Sequence, residues 1–316
     1  MFSFVLFFFV GCYDGKVYAF NRFTGDTHWT FQTDATVKSS PCIDSQTGLA
    51  WVGSHDHHLY GLDIKRKQCV CTVHCGGGSC FSSPCISHEP HLVFIATLTG
   101  RVVAVDADEH TVLWSQQCPK PVFASPLLIP CGVVCACVDG LVYCFDFQGR
   151  ETWRFETGAP IFCSPAYTRT EWDSDIPGYI VFGSHDKCVY CLSVDGKMQW
   201  SFTADGQVYS SPFVTQLNFK RQTGCHSTCH VACKTRHTSH AKMAVFVLST
   251  VGTLFILELK SGILLGSYSL PGEVFSSPVV TDQQVLLGCR NNYIYSLKVN
   301  QTAGDYTQVS QSFPRL

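Results

Sequence analysis

GSHDHHLYGL, residues 53–62, decides the fold, because six relatives of it recur along the chain. They are GCYDGKVYAF (11–20), ATLTGRVVAV (96–105), ACVDGLVYCF (136–145), GSHDKCVYCL (183–192), LSTVGTLFIL (248–257) and GCRNNYIYSL (288–297). The seven copies start 42, 43, 40, 47, 65 and 40 residues apart. Each holds a tip (Asp14-Gly15, Thr99-Gly100, Asp139-Gly140, Val251-Gly252, Asn291-Asn292) that suits a tight hairpin, here read as a two-residue type I′ turn. The 65-residue gap holds an insertion, about 217–242, and removing it restores the period.

A second string precedes every copy but the first: Ser39-Ser40-Pro41, Ser82-Ser83-Pro84, Ser125-Pro126, Ser164-Pro165, Ser210-Ser211-Pro212 and Ser276-Ser277-Pro278. Each unit then reads as four strands: VKSSPCI or VFSSPVV, then LAWVGSH or YIVFGSH, then VYAFN or VYCFD, then a strand carrying Trp29, Trp114, Trp153 or Trp200. Four strands in ~40–45 residues is the period of a β-propeller blade. Proline cannot donate to a ladder, so the Ser-Ser-Pro strand belongs at an edge, lining the axis. Small residues in the third strand (Ala19, Gly61, Ala104, Cys144, Cys191, Ser296) would let blades stack, with the Trp plugging between them. Cys71 and Gly266 stand where two units should have that Trp, which should weaken two blade contacts.

The fold expected is all-β: one propeller domain over 1–316, of about seven four-stranded blades, the first incomplete. Met1–Val10, MFSFVLFFFV, reads as a strand of that first blade. It has no positive n-region and is too short to span a bilayer. The first blade lacks a Ser-Ser-Pro strand, so ring closure falls to the tail Asp305–Phe313, and an open ring would expose sheet edges that invite self-association.

Composition narrows function. Hydrophobic residues are 46% and charged residues 15% of the 316, which excludes a disordered chain. A net charge of −2 provides no field for a nucleic-acid backbone, and no membrane partner is expected. Nineteen Cys at irregular spacing, many in apolar runs, fit free thiols in a cytoplasmic protein rather than a disulfide framework.

Stretches VYAFN-x-x-TG-x-x-x-W (17–29), VKSSP-x-x-D-x-x-TGL (37–49), CGGG with FSSPC (75–85), APIFCSP (159–165), GSHD (53–56 and 183–186) and LPGEVFSSPVV (270–280) carry a resemblance. The repeats resemble those of quinoprotein-like (PQQ-repeat) propellers. Over about 11–300 the chain resembles the C-terminal propeller of the β-alanine-activating enzymes, also called 2-aminoadipic 6-semialdehyde dehydrogenases, of the acyl-CoA synthetase family. That resemblance implies a parent that uses ATP and phosphopantetheine to adenylate and load an amino acid. Nothing here matches the upstream adenylation and carrier domains, so the chain is expected to be a piece of a longer protein. The propeller would then be non-catalytic, with no cofactor of its own, binding those upstream domains or a protein acceptor. A PQQ-dependent dehydrogenase and a stand-alone interaction scaffold are the alternatives.

Three constellations invite chemistry and are better read as structure. In Gly-Ser-His-Asp, neighbouring strand residues point to opposite faces and cannot converge as a triad, so Asp should open the hairpin and His satisfy a local hydrogen bond. Gly76-Gly77-Gly78 lacks the following Lys-Ser/Thr or helix of a phosphate loop. Cys225, Cys229, Cys233 and His237 are zinc-ligand types, but their Cys-x3-Cys spacings fit no zinc knuckle, and the basic residues beside them favour a solvated loop.

Overall fold

The computed structural model describes residues 7–169, 178–217, 242–281, 284–299 and 308–313. They form seven antiparallel meanders. The first sheet has three strands, β1 (Phe7–Gly11), β2 (Lys16–Asn21) and β3 (Thr27–Gln32). The second holds β4 (Cys42–Ile43), β5 (Leu49–Gly53), β6 (His58–Asp63) and β7 (Gln68–His74). The third holds β8 (Cys85–His88), β9 (His91–Ala96), β10 (Arg101–Asp106) and β11 (Val112–Gln117). The fourth holds β12 (Leu127–Ile129), β13 (Gly132–Ala136), β14 (Leu141–Phe145) and β15 (Glu151–Glu156). The fifth holds β16 (Ala166–Arg169), β17 (Gly178–Gly183), β18 (Cys188–Ser193) and β19 (Met198–Thr203). The sixth holds β20 (Phe213–Leu217), β21 (Lys242–Leu248), β22 (Thr253–Glu258) and β23 (Leu264–Ser269). The seventh holds β24 (Val279–Thr281), β25 (Gln284–Cys289), β26 (Tyr293–Val299) and β27 (Gln308–Phe313).

Two local expectations change. The Ser-Ser-Pro triplets lie in the connections just before the innermost strands, because proline and the serine hydroxyls replace ladder bonds there. The tips are not type I′. Each has one left-handed residue, at Gly15, His57, Gly100, Gly140, Lys187, Gly252 and Asn292. At the first, the Gly15 N–H donates to the Cys12 carbonyl and the Cys12 N–H to the Lys16 carbonyl. That is a three-residue loop ending in a left-handed position, which meets the strand twist with a single positive φ.

Six buried clusters hold successive sheets together. The recurring Trp lies on the outer strand and reaches into the next sheet. The Trp114 indole N–H donates to the Phe147 carbonyl (2.9 Å), Trp153 to Val194 (3.0 Å) and Trp200 to Leu259 (2.7 Å). Each ring also covers a left-handed glycine in that turn. A Cβ at Gly149, Gly196 or Gly262 would lie 2.6–2.8 Å from ring atoms of Trp114, Trp153 or Trp200. Trp200 is buried, but Trp29, Trp114 and Trp153 are half-buried, since one indole edge meets solvent at the rim.

Where Cys71 replaces the Trp, the contact is not left thin. Trp51, on β5 in the same cross-strand row as Gly61 and Cys71, is fully buried and meets the ring of His110, the left-handed residue of the next sheet's outer turn, at 5.9 Å. Its indole N–H finds no hydrogen-bond partner among the described residues. In the Gly266 row, Phe246 and Ile256 supply the bulk.

The tail does not stand innermost in the first sheet. Gln308–Phe313 pairs with β26 as the outer strand of the seventh. Among the described residues no buried cluster joins the seventh sheet to the first. Their uncovered faces carry Phe8, Val10, Leu286 and Ile294, exposed by 61, 46, 37 and 40%. The insertion, with Cys225, Cys229, Cys233 and His237, lies outside the described residues, as does Trp172. β20 and β21 pair up to Leu217 and Lys242 on either side of it.

Candidate functional site

The two residues before the proline of each Ser-Ser-Pro or Ser-Pro string have different tasks. The first, in every unit but that of Ala124, closes its own blade where the ladder stops. Ser82 Oγ donates to the Ala96 carbonyl (2.8 Å) and accepts from the Ala96 N–H (3.0 Å). Ser210 does the same with Leu248, and Ser276 with Gly288. Ser39 accepts from the Gly53 N–H, and Cys163 substitutes a thiol against Gly183. The second serine reaches sideways. The N–H of Ser40 donates to Ser83 Oγ (2.8 Å), Ser83 to Ser125 (3.0 Å), Ser125 to Ser164 (2.8 Å), Ser164 to Ser211 (2.9 Å) and Ser211 to Ser277 (2.9 Å). This relay runs through six blades. The prolines that follow are buried (Pro84, Pro126, Pro165, Pro212, Pro278), and Pro41 is half-buried.

The residue before each pair completes the site. Phe81, Phe123, Phe162, Tyr209 and Phe275 stand one per blade at the axial mouth, with successive ring centroids 5.3–5.6 Å apart. Lys38 takes the same place in the second blade. Its ammonium lies 5.3 Å from the Phe81 centroid and 5.0 Å from Tyr13. At the far end the Arg290 guanidinium sits 4.6 Å over Phe275 and pairs with Glu273. An open cleft of about 410 Å³, lined by Phe275, Arg290, Tyr293 and Ile294 among others, adjoins that end. Five rings therefore form an arc with a cation at each end, and none of the five is fully buried.

The two Gly-Ser-His-Asp segments buttress the arc. Ser54 and Ser184 tie the hairpin tips to the preceding inter-blade loops, at Ala35 and Ala159. Asp56 accepts from the N–H groups of Asp34 and His58 and from the Tyr60 hydroxyl, and Asp186 repeats this with Gly158, Cys188 and Tyr190. The histidines depart from expectation. His55 packs on Phe81, and His185 on Phe162 and Tyr209. The Nε2 atoms of both are buried without a hydrogen-bond partner among the described residues. Burial holds both imidazoles below their ordinary pKa, with Lys38 adding to the effect at His55. Ring packing replaced the local hydrogen bond.

Sequence reasoning missed the arc. Its signal was an aromatic residue at a fixed offset before the serine pair in five of six blades. The Trp residues it did single out hold the outer rim, away from the mouth.

A family model described as the β-alanine-activating enzyme β-propeller matches residues 3–299. The chain belongs to that family. The family's Drosophila melanogaster β-alanine-activating enzyme is 26% identical over 298 residues, covering 92% of this chain and 28% of that protein. The Homo sapiens enzyme is 41% identical over 161 residues, 51% of this chain and 12% of that protein. The chain thus spans under a third of the length of these curated relatives. Solved structures with the same fold include BamB from Moraxella catarrhalis (TM-score 0.66, 15% identity, 93% of this chain and 80% of that one). The computationally designed Ika8 protein is a second (TM-score 0.68, 16% identity, 90% and 78%). At such identity these likenesses speak to the propeller alone. Among the described residues no helix is long and apolar enough to cross a membrane.

Proposed function

We propose that this propeller is the non-catalytic docking module of a β-alanine-activating enzyme, and that its axial mouth receives a protein partner, either an acceptor or the parent's own carrier domain. The aromatic arc carries this reading. Half-exposed rings supply apolar contact at low entropic cost, and Lys38 and Arg290 suit an acidic partner at the two ends. Adenylation with ATP and loading onto phosphopantetheine would belong to other parts of the parent. The carboxylates at four hairpin tips, Asp14, Asp56, Asp139 and Asp186, are each engaged by a tyrosine four residues on, a structural duty rather than a calcium–quinone cage. The sixteen free thiols among the described residues fit a cytoplasmic setting.

Calorimetric titration of the propeller with its carrier domain and with candidate acidic acceptors tests this. Phe123→Ala with Phe162→Ala should weaken binding at least about tenfold, the scale of a hot-spot aromatic pair. Binding unaffected by that double variant and by Lys38→Glu would remove the mouth from the interface.

A further inference from the structure

At the opposite end of the innermost strands, a second cluster bridges the second and third blades. Asp44 follows β4, and its carboxylate is wholly buried. His88 and His91 flank the β8–β9 turn of the next blade, with exposures of 45 and 10%. His91 Nε2 lies 2.9 Å from one Asp44 oxygen and His88 Nδ1 3.9 Å from the other. One ligand atom from each of the three falls within 4.8 Å of the other two.

The outward nitrogens are also held. His91 Nδ1 lies 2.8 Å from Asp108 Oδ1, on the β10–β11 turn, and His88 Nε2 lies 3.2 Å from Ser45 Oγ. In metal centres the non-ligating nitrogen of each histidine is fixed by such an outer partner, which sets the tautomer and aims the lone pair inward. An ion pair between His91 and its two carboxylates would not by itself need His88 Nδ1 turned toward the second Asp44 oxygen.

We propose that Asp44, His88 and His91 bind one Zn²⁺ ion that clamps the second blade to the third, with Asp108 as the positioning residue for His91. Two imidazoles and a carboxylate are a borderline N/O donor set suited to zinc, and the exposed side of His88 leaves a fourth position for water. Any proton that His91 Nε2 donates to Asp44 leaves for solvent when the ion takes that lone pair. Neither the propeller repeat nor the proposed docking role requires this site.

The test uses the full chain, treated with chelator, in a Cys225→Ser/Cys229→Ser/Cys233→Ser background that removes the three cysteines of the insertion. Titration with ZnCl₂ should show one equivalent bound and a raised melting temperature, and Co²⁺ should give a four-coordinate visible spectrum without thiolate charge transfer. His88→Ala removes a half-exposed ligand and should fold, yet lose the stoichiometric binding. Asp108→Asn should weaken binding by about 10–100-fold, as loss of an outer partner does. No binding in that background would overturn the site and leave an imidazolium between two carboxylates. Binding undiminished by His88→Ala would overturn it as well.

Discussion

The contact between Trp200 and Gly262 can be tested as a pair. Trp200 is 8% exposed and donates to the Leu259 carbonyl across the blade boundary, so Trp200→Ala should cost about 3–5 kcal/mol. Gly262→Ala carries two separate penalties. Its φ of +69° costs an L-residue roughly 1–2 kcal/mol, and its Cβ would sit 2.6 Å from the indole, adding about 1–3 kcal/mol of overpacking. Removing the indole abolishes the second penalty and leaves the first. The double variant should therefore be more stable than the sum of the singles by about 1–3 kcal/mol, within the range of contacting residues. Urea denaturation followed by far-UV circular dichroism measures all four corners of the cycle. Strict additivity would refute the lock, because it would mean that glycine is present for backbone freedom alone.

Other expectations follow from single contacts. Ser82→Ala strips both the N–H and the C=O of Ala96 of a buried partner and should cost about 1–3 kcal/mol, whereas Ser83→Ala loses only the exposed relay bond that its hydroxyl accepts from the Ser40 N–H and should cost at most about 1 kcal/mol, both read from melting curves. Lys187→Gly should stabilise by up to about 1 kcal/mol, since Lys187 holds φ +73°, and chemical denaturation that shows a loss instead would contradict the tip geometry. Burial depresses the His185 pKa, so as pH falls below about 6.5 the unfolded chain takes up a proton that the folded one refuses. Stability should fall from pH 7 toward 5 for this reason, and His185→Phe should show a smaller drop in melting temperature over that interval. The uncovered faces of the first and seventh sheets should make the isolated chain self-associate, and Phe8→Ser with Leu286→Ser should reduce this in sedimentation velocity; a chain monomeric at high concentration would argue against it.

The repeat was legible because period-2 strands, left-handed tips and Ser-Ser-Pro punctuation are all local. Seven copies of one string fixed the number of sheets, and the family followed from the linking sequence. What local reading lacked was direction between blades. Nothing near Trp153 in sequence says that its indole covers Gly196, which lies 43 residues on. Likewise, Phe81 and Phe123 look like ordinary strand residues until the ring places them side by side. The Ser-Ser pairs looked like small residues lining an axis. Their paired roles, one ladder closure and one sideways bond, depend on where the innermost strand begins, and the proline delays that start by a residue or two. The Asp44–His88–His91 grouping was less visible still, because its members belong to two units and to turns of no distinctive composition.

The rows across each blade explain why imperfect copies can stack one on the next. The row through the middle of the blade reads Phe9-Ala19-Trp29, Trp51-Gly61-Cys71, Phe94-Ala104-Trp114, Val134-Cys144-Trp153, Val181-Cys191-Trp200 and Phe246-Ile256-Gly266. A bulky residue at one end faces a small one in the middle in five of the six. When the outer strand gives up its Trp, bulk moves inward: to Trp51 over Gly61, or to Phe246 and Ile256. Blade stacking requires that the volume between sheets be filled, and cores accept many residue choices that conserve it. It does not require that one strand supply that volume. The exchange has a cost that the outer position avoids: Trp51 is deep enough to lose water, and its indole N–H is left without a described partner, whereas Trp114, Trp153 and Trp200 find a turn carbonyl. The outer position satisfies packing and hydrogen bonding together, which is a physical reason for the Trp to recur there in four of the units.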